Sequence, residues 1–267
     1  MAVDPYTHGH HGSVLRSHTW RTAENSAAHL LPHLVAGDSL LDIGSGPGTI
    51  TTDFATRLAP GDVVGIDASE EVVAKATADS ASLGLDNLHF EVGDAYALRF
   101  ADASFDVVHA HQVLQHVGNP VAMLREMGRV AKPGGIVTAR DVDYEGVIWA
   151  PHHEGLTDWL ALYLHVHRGI SGEPAAGRHL KSWARSADFT DVTCSASLWL
   201  FESDEDRAWW GGMWAERAVA SAFADNARKL GLADTERLER IAGAWRDWAE
   251  DPDGWLLMPH AEILVRV

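Results

Sequence analysis

The stretch LLDIGSGPGTIT, residues 40–51, decides the reading of this chain. A short apolar run, SLLDI (39–43), meets Gly44, Gly46 and Gly48, and TITTDFATRLA (49–59) then follows with helical spacing. Strand, glycine turn and helix in that order make the first unit of a nucleotide-type α/β fold. The glycines let the backbone approach a ligand closely where the helix begins. The spacing narrows the ligand. A dinucleotide loop wants a third glycine at position 49, where this chain has Thr49, and no Gly-Lys-Ser/Thr follows as a triphosphate loop requires. A ligand that contains an adenosine but no phosphate fits best.

The alternation continues outward. DVVGID (62–67) reads as a second strand. The segment 69–84 reads as a helix, with Ser69 as N-cap, Glu70 and Glu71 in its first turn and Gly84 placed to stop it. LHFEV (88–92) and FDVVHA (105–110) follow as strands. NPVAMLREMGRVAKPGG then opens on Asn119 as N-cap with Pro120 at the first helical position, and puts Met123, Leu124, Met127 and Val130 on one face. GIVTARDV (135–142) is a fifth strand. Apolar strands alternating with helices predict an α/β doubly wound, Rossmann-like, mostly parallel sheet covered on both faces. Further on, 177–188 reads as a helix, and 189–200 and 261–267 read as the last two strands. The segments 144–173 and 203–258 read as helical insertions capping the sheet. The whole is expected to be one domain, residues 1–267, with helices of 1–38 leading into a core of 39–143.

Two acids end strands where a nucleoside would lie. Asp67 stands 23 residues after Gly44 and can accept hydrogen bonds from both hydroxyls of a ribose. Asp94, in VGDA (92–95), can accept one from an adenine amino group. The plain alternatives are a helix N-cap for Asp67 and a turn residue for Asp94.

Composition limits the partners. The 267 residues carry a formal net charge of −17 with no Lys/Arg-rich run, which argues against nucleic acid and against an anionic membrane surface. One cysteine, Cys194, excludes an intrachain disulfide and a cysteine-based zinc site. No apolar run reaches the roughly 18 residues of a membrane span and the N-terminus shows no signal-type apolar region, so a cytoplasmic protein is expected.

Taken in order, LDIGSGPG, GIDAS, VGDA, HAHQVLQHV and KPGG resemble the seven-stranded S-adenosylmethionine-dependent methyltransferases. They are closest to the small-molecule branch of the ubiquinone/menaquinone-biosynthesis type. The resemblance covers about residues 30–143 strongly and the later strands by topology only, the seventh being antiparallel in that fold. It implies S-adenosylmethionine as cofactor. Asp42, Gly44, Gly46 and Gly48 would form the methionine side, Asp67 and Ala68 would hold the ribose, and Gly93, Asp94 and Ala95 the adenine. His111 and Gln112 would close the site near the sulfonium. Ser45 stands where this branch usually has cysteine.

The acceptor is approached by exclusion. The N/D-P-P-Y/F motif of nucleobase amino methyltransferases is absent, HAHQVLQH standing in its place, and Cys194 lies in a predicted strand rather than a Pro-Cys pair. A small-molecule substrate is left. Eight of the eleven tryptophans fall in the two cap segments, which suggests an apolar pocket. Trp210 and Trp214, four apart on one helix face, are candidates to bind substrate, with a helical core or a homodimer contact as the alternative use. Tyr144, just past the fifth strand, is a further candidate.

If the acceptor must lose a proton, histidine suits the task near neutral pH. His116 is the first candidate base. The N-terminal stretch YTHGHHGSVLRSHTW (6–20) holds more histidines. Its spacing offers neither a helical i, i+4 pair among His8, His10 and His11 nor a partner carboxylate motif, so no metal site is expected. In the resembled family the segment before the first strand folds over the cofactor. That would bring Tyr6, His11, His18 and Arg21 near the reacting groups. Two other readings compete: a non-catalytic S-adenosylmethionine-binding regulator of the same fold, and a nicotinamide-dependent oxidoreductase, which the missing third glycine disfavours.

Overall fold

Residues 19–267 are described in the computed structural model of the protein. Among them eight strands form one sheet: β1 (Leu40–Ile43), β2 (Val63–Asp67), β3 (Leu88–Val92), β4 (Phe105–His111), β5 (Ala131–Val142), β6 (Ile148–Ala150), β7 (Asp191–Phe201) and β8 (Trp255–Arg266). The spatial order runs β3-β2-β1-β4-β5-β8, with β7 beyond β8. The first five are mutually parallel. β8 runs antiparallel to both its neighbours, and Glu262 is paired with Arg140 on one edge and Ser195 on the other. The three-residue β6 continues the line of β5 along the same edge of β8.

Helices cover both faces, as expected for strands without a polar side. Leu40, Val63, Val107 and Ile136 pack against Phe54, Ala55 and Leu58 of α2 (Thr49–Leu58) and against Ala23 of α1 (Ala23–Ser26). The alternate residues Leu41, Ile43, Ile66 and Val137 face Met123, Leu124 and Met127 of α4 (Pro120–Val130) and Leu180 and Ala184 of α6 (Ala176–Ser186). The caps form as the sequence predicts. Ser69 Oγ accepts from Val72 N at the start of α3 (Glu70–Ser80), and Asn119 Oδ1 accepts from Ala122 N ahead of Pro120.

The second half holds a different core. α5 (Glu154–Gly169), α7 (Asp204–Ala220), α8 (Ala222–Lys229) and α9 (Thr235–Glu250) bury Trp159, Trp214, Trp245 and Trp248 completely or nearly so. Trp159 meets Trp214 and Trp245 edge-on at 4.8 and 4.7 Å, the geometry aromatic quadrupoles favour. The two tryptophan-rich segments therefore bury most of their rings in each other.

The final strand differs from its sequence reading. The alternation AEILVRV suggested a start at residue 261, but β8 begins at Trp255 and includes Pro259. Proline ordinarily interrupts a ladder because it has no N–H to donate. Here it falls between the β5 pairings, which end at His260, and the β6 pairings, which begin at Leu257, and its carbonyl accepts from Asp143 N at 3.0 Å. Trp255 thus belongs to the strand and is partly exposed.

Trp245 lies at the centre of the tryptophan core with no exposed surface. Trp245→Ala is expected to cost about 3–5 kcal/mol, the range for truncating a buried aromatic. Urea denaturation followed by far-UV circular dichroism measures it.

Candidate active site

The glycine turn after β1 takes its shape from two contacts. Gly44 has φ +69°, and a Cβ there would lie 2.4 Å from Val113 Cγ2, so only glycine fits. Gly44 N and Ser45 N both donate to Ile66 O, which ties the turn to the end of β2. Asp67 completes the tie. Its carboxylate accepts from Gly46 N at 3.1 Å and from Ser69 N at 3.0 Å, one on each oxygen, and its own carbonyl accepts from Gly93 N. One side chain thus fixes the loops after β1, β2 and β3, with lone pairs left for a ligand. Asp94 is exposed beside it and accepts from Tyr96 N.

Two residues of the motif, Gly48 and Asp42, are also engaged within the protein. Gly48 does not line the cavity; it packs under it, where an added Cβ would meet Phe90 Cζ at 2.4 Å. Asp42 reaches the cavity wall, but its carboxylate accepts from Thr51 Oγ1 at 2.6 Å and pairs with His109 Nδ1 at 2.8 Å. With both oxygens engaged, Asp42 braces β1, α2 and β4.

The loop after β4 forms the next wall. Gln112 adopts φ +54°, uncommon for a side chain of this kind. Its amide oxygen accepts from Arg21 Nη2 at 2.7 Å, and its amide nitrogen donates to His260 Nε2 at 2.8 Å. His260 Nδ1 donates to Met258 O, which fixes that tautomer. The turn itself hangs on Asp141, fully buried on β5, which accepts from Leu114 N and Gln115 N. Burial pushes the Asp141 carboxyl up to about 7, against these hydrogen bonds. His116 lies in this turn, ahead of α4, with its ring stacked 5.1 Å from His167. His167 Nε2 donates to Gln115 O at 2.8 Å. Burial holds His111, His116 and His260 well below the usual histidine pKa and lowers His167 to about 4. At neutral pH these rings are uncharged hydrogen-bonding groups.

Above the loops lies a cavity of about 1100 Å³. One end is lined by the glycine turn, Asp67, Ala68, Gly93, Asp94 and Ala95, the other by Arg21, Tyr144, Trp199, Trp210, Arg217 and Met258, with His111, Gln112 and His116 between. Its size exceeds the ~300–1,000 Å³ typical of one small ligand, so two molecules fit side by side. Three buried polar atoms on the glycine-turn side and at its junction have no hydrogen-bond partner among the described residues: Ser45 Oγ and both ring nitrogens of His111. Such atoms are costly to leave unpaired, and an adenosine-containing ligand rich in donors and acceptors fits them.

The cap candidates separate. Trp210 lines the cavity, whereas Trp214 does not: it is fully buried between Trp159 and Trp245 and supports Arg217, whose guanidinium sits 4.8 Å above its ring. Tyr144 lines the cavity. Tyr6, His11 and His18 lie outside the described residues. Trp199, Met258 and Arg217 escaped the sequence reading. Trp199 and Met258 sit on strands whose apolar pattern reads as core, and Arg217 is a lone cation two turns beyond Trp210 on a helix face otherwise apolar.

The methyltransferase domain model matches residues 34–188, more than half of the chain. The chain belongs to the methyltransferase domain family. An uncharacterized methyltransferase of Schizosaccharomyces pombe is 33% identical over 98% of this chain and 96% of its own length. A demethylmenaquinone methyltransferase of Beutenbergia cavernae is 32% identical over 81% of this chain and 82% of its own. The YcgJ protein from Bacillus subtilis has a similar fold, with a TM-score of 0.58 and 21% identity over 90% of this chain and 97% of its own. The protein is an S-adenosylmethionine-dependent methyltransferase. Among the described residues of this methyltransferase, no helix is long and apolar enough to cross a membrane, and no group of histidine, cysteine and carboxylate side chains is placed to hold a metal ion.

Two expectations follow. Asp67→Ala should weaken S-adenosylhomocysteine binding by roughly 1.5–3 kcal/mol, about 10- to 150-fold, as for hydrogen bonds to a charged group. Calorimetry on the variant, with its fold checked by circular dichroism, measures this. The second concerns pH. His29 and His167 have folded pKa values near 4, and His111, His116 and His260 are also lowered, all below the 6.5 of the unfolded chain. Their contribution is full above pH 6.5 and is lost as pH falls through 4. Buried His167 alone accounts for about 3 kcal/mol. Asp141 acts in the opposite sense, its contribution being lost as pH rises from 3.8 toward 7. With five histidines against one carboxyl, thermal melts should fall steeply from pH 6.5 to 4.

Proposed function

We propose that this methyltransferase moves the methyl group of S-adenosylmethionine to a small, largely apolar molecule, at oxygen, carbon or nitrogen. The carrying observation is a single cavity with the glycine turn at one end and Tyr144, Trp199, Trp210 and Met258 at the other. Acceptor and donor share that space, and apolar walls with few polar groups suit a small organic acceptor.

The roles follow from position. Asp67 and Ala68 hold the ribose, and Gly93, Asp94 and Ala95 the adenine. Gly44 and Gly46 lie along the methionine part, with Asp42 bracing them. Gln112, oriented by Arg21 and His260, and His111, with two ring nitrogens to offer, stand at the join between the two ends. When bound, S-adenosylmethionine supplies a methyl group activated by a sulfonium. The protein's part is mainly alignment. It holds the acceptor in line behind that methyl and excludes water, and alignment of this kind can remove ~7–11 kcal/mol of barrier. Neutral, buried histidines favour an acceptor that arrives already nucleophilic or ionised.

A screen of phenols, quinols, carboxylic acids and amines with S-adenosylmethionine should yield turnover with at least one class. With that acceptor, Trp210→Ala should raise KM several-fold while S-adenosylhomocysteine affinity stays within twofold, as for a residue giving uniform binding away from the reacting atoms. Trp214→Ala should act mainly on stability. Turnover with none of these classes, or equal kinetic effects of the two substitutions, would contradict the proposal.

A further inference from the structure

Two neighbouring side chains at the junction of the cavity differ in what they have left to offer. The Gln112 amide is spent: its oxygen accepts from Arg21 and its nitrogen donates to His260. His111, the last residue of β4, is not spent. It lines the cavity, is 5% exposed, and neither of its ring nitrogens has a hydrogen-bond partner among the described residues. Rings hold it in place instead. Trp199 of β7 lies 5.8 Å from it, and His260 of β8 is stacked at 6.3 Å. The first of these lines the acceptor end. The His111 ring thus stands on a cofactor-side strand and leans on the acceptor-side strands.

Burial opposes a charge on this ring. So do the groups that act on it: Arg21 from the N-terminal segment, Arg140 of β5, His260 of β8 and His109 of β4 itself. His111 is therefore a neutral imidazole, with a hydrogen on one nitrogen and a lone pair on the other. The two point away from each other across the ring, so no single ligand group meets both. Buried polar atoms of this kind are costly to leave unpaired. A cavity that seats two molecules answers this, with one nitrogen for each. The methyl donor brings oxygens that can accept from the N–H. The lone pair needs a hydrogen, which the acceptor must bring. A carboxylate has none at neutral pH. An ammonium has hydrogens but no lone pair with which to attack, and it is expensive to bury among apolar side chains. A hydroxyl carries both on one atom.

Resting on the proposed reading of a small apolar acceptor in this cavity, we propose that the acceptor is a hydroxyl compound, a phenol or an alcohol, and that His111 is the catalytic residue that holds its O–H and takes its proton. The hydroxyl oxygen attacks the sulfonium methyl. The C–O bond forms as the C–S bond breaks, and the C–S pair stays on sulfur, leaving S-adenosylhomocysteine. The O–H pair stays on oxygen as an ether lone pair, and the proton moves to the His111 nitrogen, from which water takes it when the products leave. The hydroxyl need not ionise beforehand. An oxygen already bonding to the methyl holds its proton weakly, so an imidazole of low basicity is enough to accept it. The apolar body of the acceptor lies against Trp199, Trp210 and Met258.

Two measurements on the full chain test this. The first is calorimetry with the protein saturated with S-adenosylhomocysteine. The probes are 2-naphthol, 4-phenylphenol and 1-decanol, each against its methyl ether, which keeps the body and lacks the hydrogen. At least one hydroxyl compound should bind 10-fold or more tighter than its ether, and His111→Phe should abolish that preference. The second is turnover near pH 8 with saturating S-adenosylmethionine. His111→Gln can still accept a hydrogen bond but cannot take a proton. It should lower kcat for the preferred hydroxyl compound at least 30-fold with KM within threefold. For 4-nitrophenol, largely ionised at that pH, the loss should stay under threefold. Equal losses for the two substrates would mean that His111 takes no proton, and would overturn its catalytic role. Ethers that bind as well as hydroxyl compounds, or turnover confined to carboxylic acids or amines, would overturn the hydroxyl assignment while the apolar pocket stands. If neither hydroxyl compounds nor ethers bind to the loaded protein and no class is turned over, the reading of an apolar acceptor fails, and the assignment to His111 with it.

Discussion

The antiparallel insertion of β8 between β5 and β7 governs how this molecule is assembled. β5 and β7 both run parallel to the cofactor-binding strands, so both end at the edge where the glycine turn lies. β8 runs the other way, so it begins at that edge. The segment leaving β5 and the segment joining β7 to β8 therefore emerge side by side above the cofactor loops. Long connections cost little closure entropy, so elaboration there is tolerated. Once both segments carry tryptophans, they bury them against each other, and the roof that results has Trp210 and Arg217 on its underside. The same strand delivers Met258 to the cavity and His260 to Gln112.

That arrangement also demands polar groups inside the sheet. Arg140 on β5 is almost fully buried, pairs with Glu262 of β8 at 3.3 Å and donates to Ser197 Oγ of β7 at 2.9 Å. Glu262 in turn accepts from Ser195 and Ser197. Three strands are thereby pinned in one register, since a slip by one residue would turn these charges to the other face. Breaking a buried pair of this kind leaves an uncompensated charge, which is why such pairs specify geometry even when they add little net stability. Arg140 also lies 5.0 Å from the Trp199 ring, and Trp199 Nε1 donates to Asn25 O. The lattice of polar contacts thus runs from the sheet to the segment bearing Arg21.

The cofactor half was legible in the sequence because its signals are local. A glycine that must take positive φ, a carboxylate at a strand end, and an Asn-Pro helix start each state their role within a few residues. Asp67 and Gly44 carry such signals. Gly48 shows the limit: its motif position is right for the loop, yet the structure uses it to pass Phe90. The acceptor half was less legible because its signals are long-range. Pro259 lies within β8, between its β5 and β6 pairings, a placement that depends on strands far away in the chain. Trp210 and Trp214 are indistinguishable by spacing, and only the docking of α9 sends one to the core and leaves the other on the wall. Arg217 reads as a solvated helix residue until the neighbouring segments bury it. Asp141 and His167 hold the β4–α4 turn from distant elements, so nothing near that turn announces them. The expectations for residues 1–18 fall outside the described part of the chain.

The central claim is that one cavity seats the donor at the glycine turn and the acceptor under the cap. A crystal structure with S-adenosylhomocysteine bound tests it most directly. The account predicts both ribose hydroxyls on the Asp67 carboxylate, and the sulfur beside His111 and Gln112, facing open space bounded by Tyr144, Trp210 and Arg217. A ribose held away from Asp67, or a sulfur facing a wall with no room between it and Trp210, would contradict it.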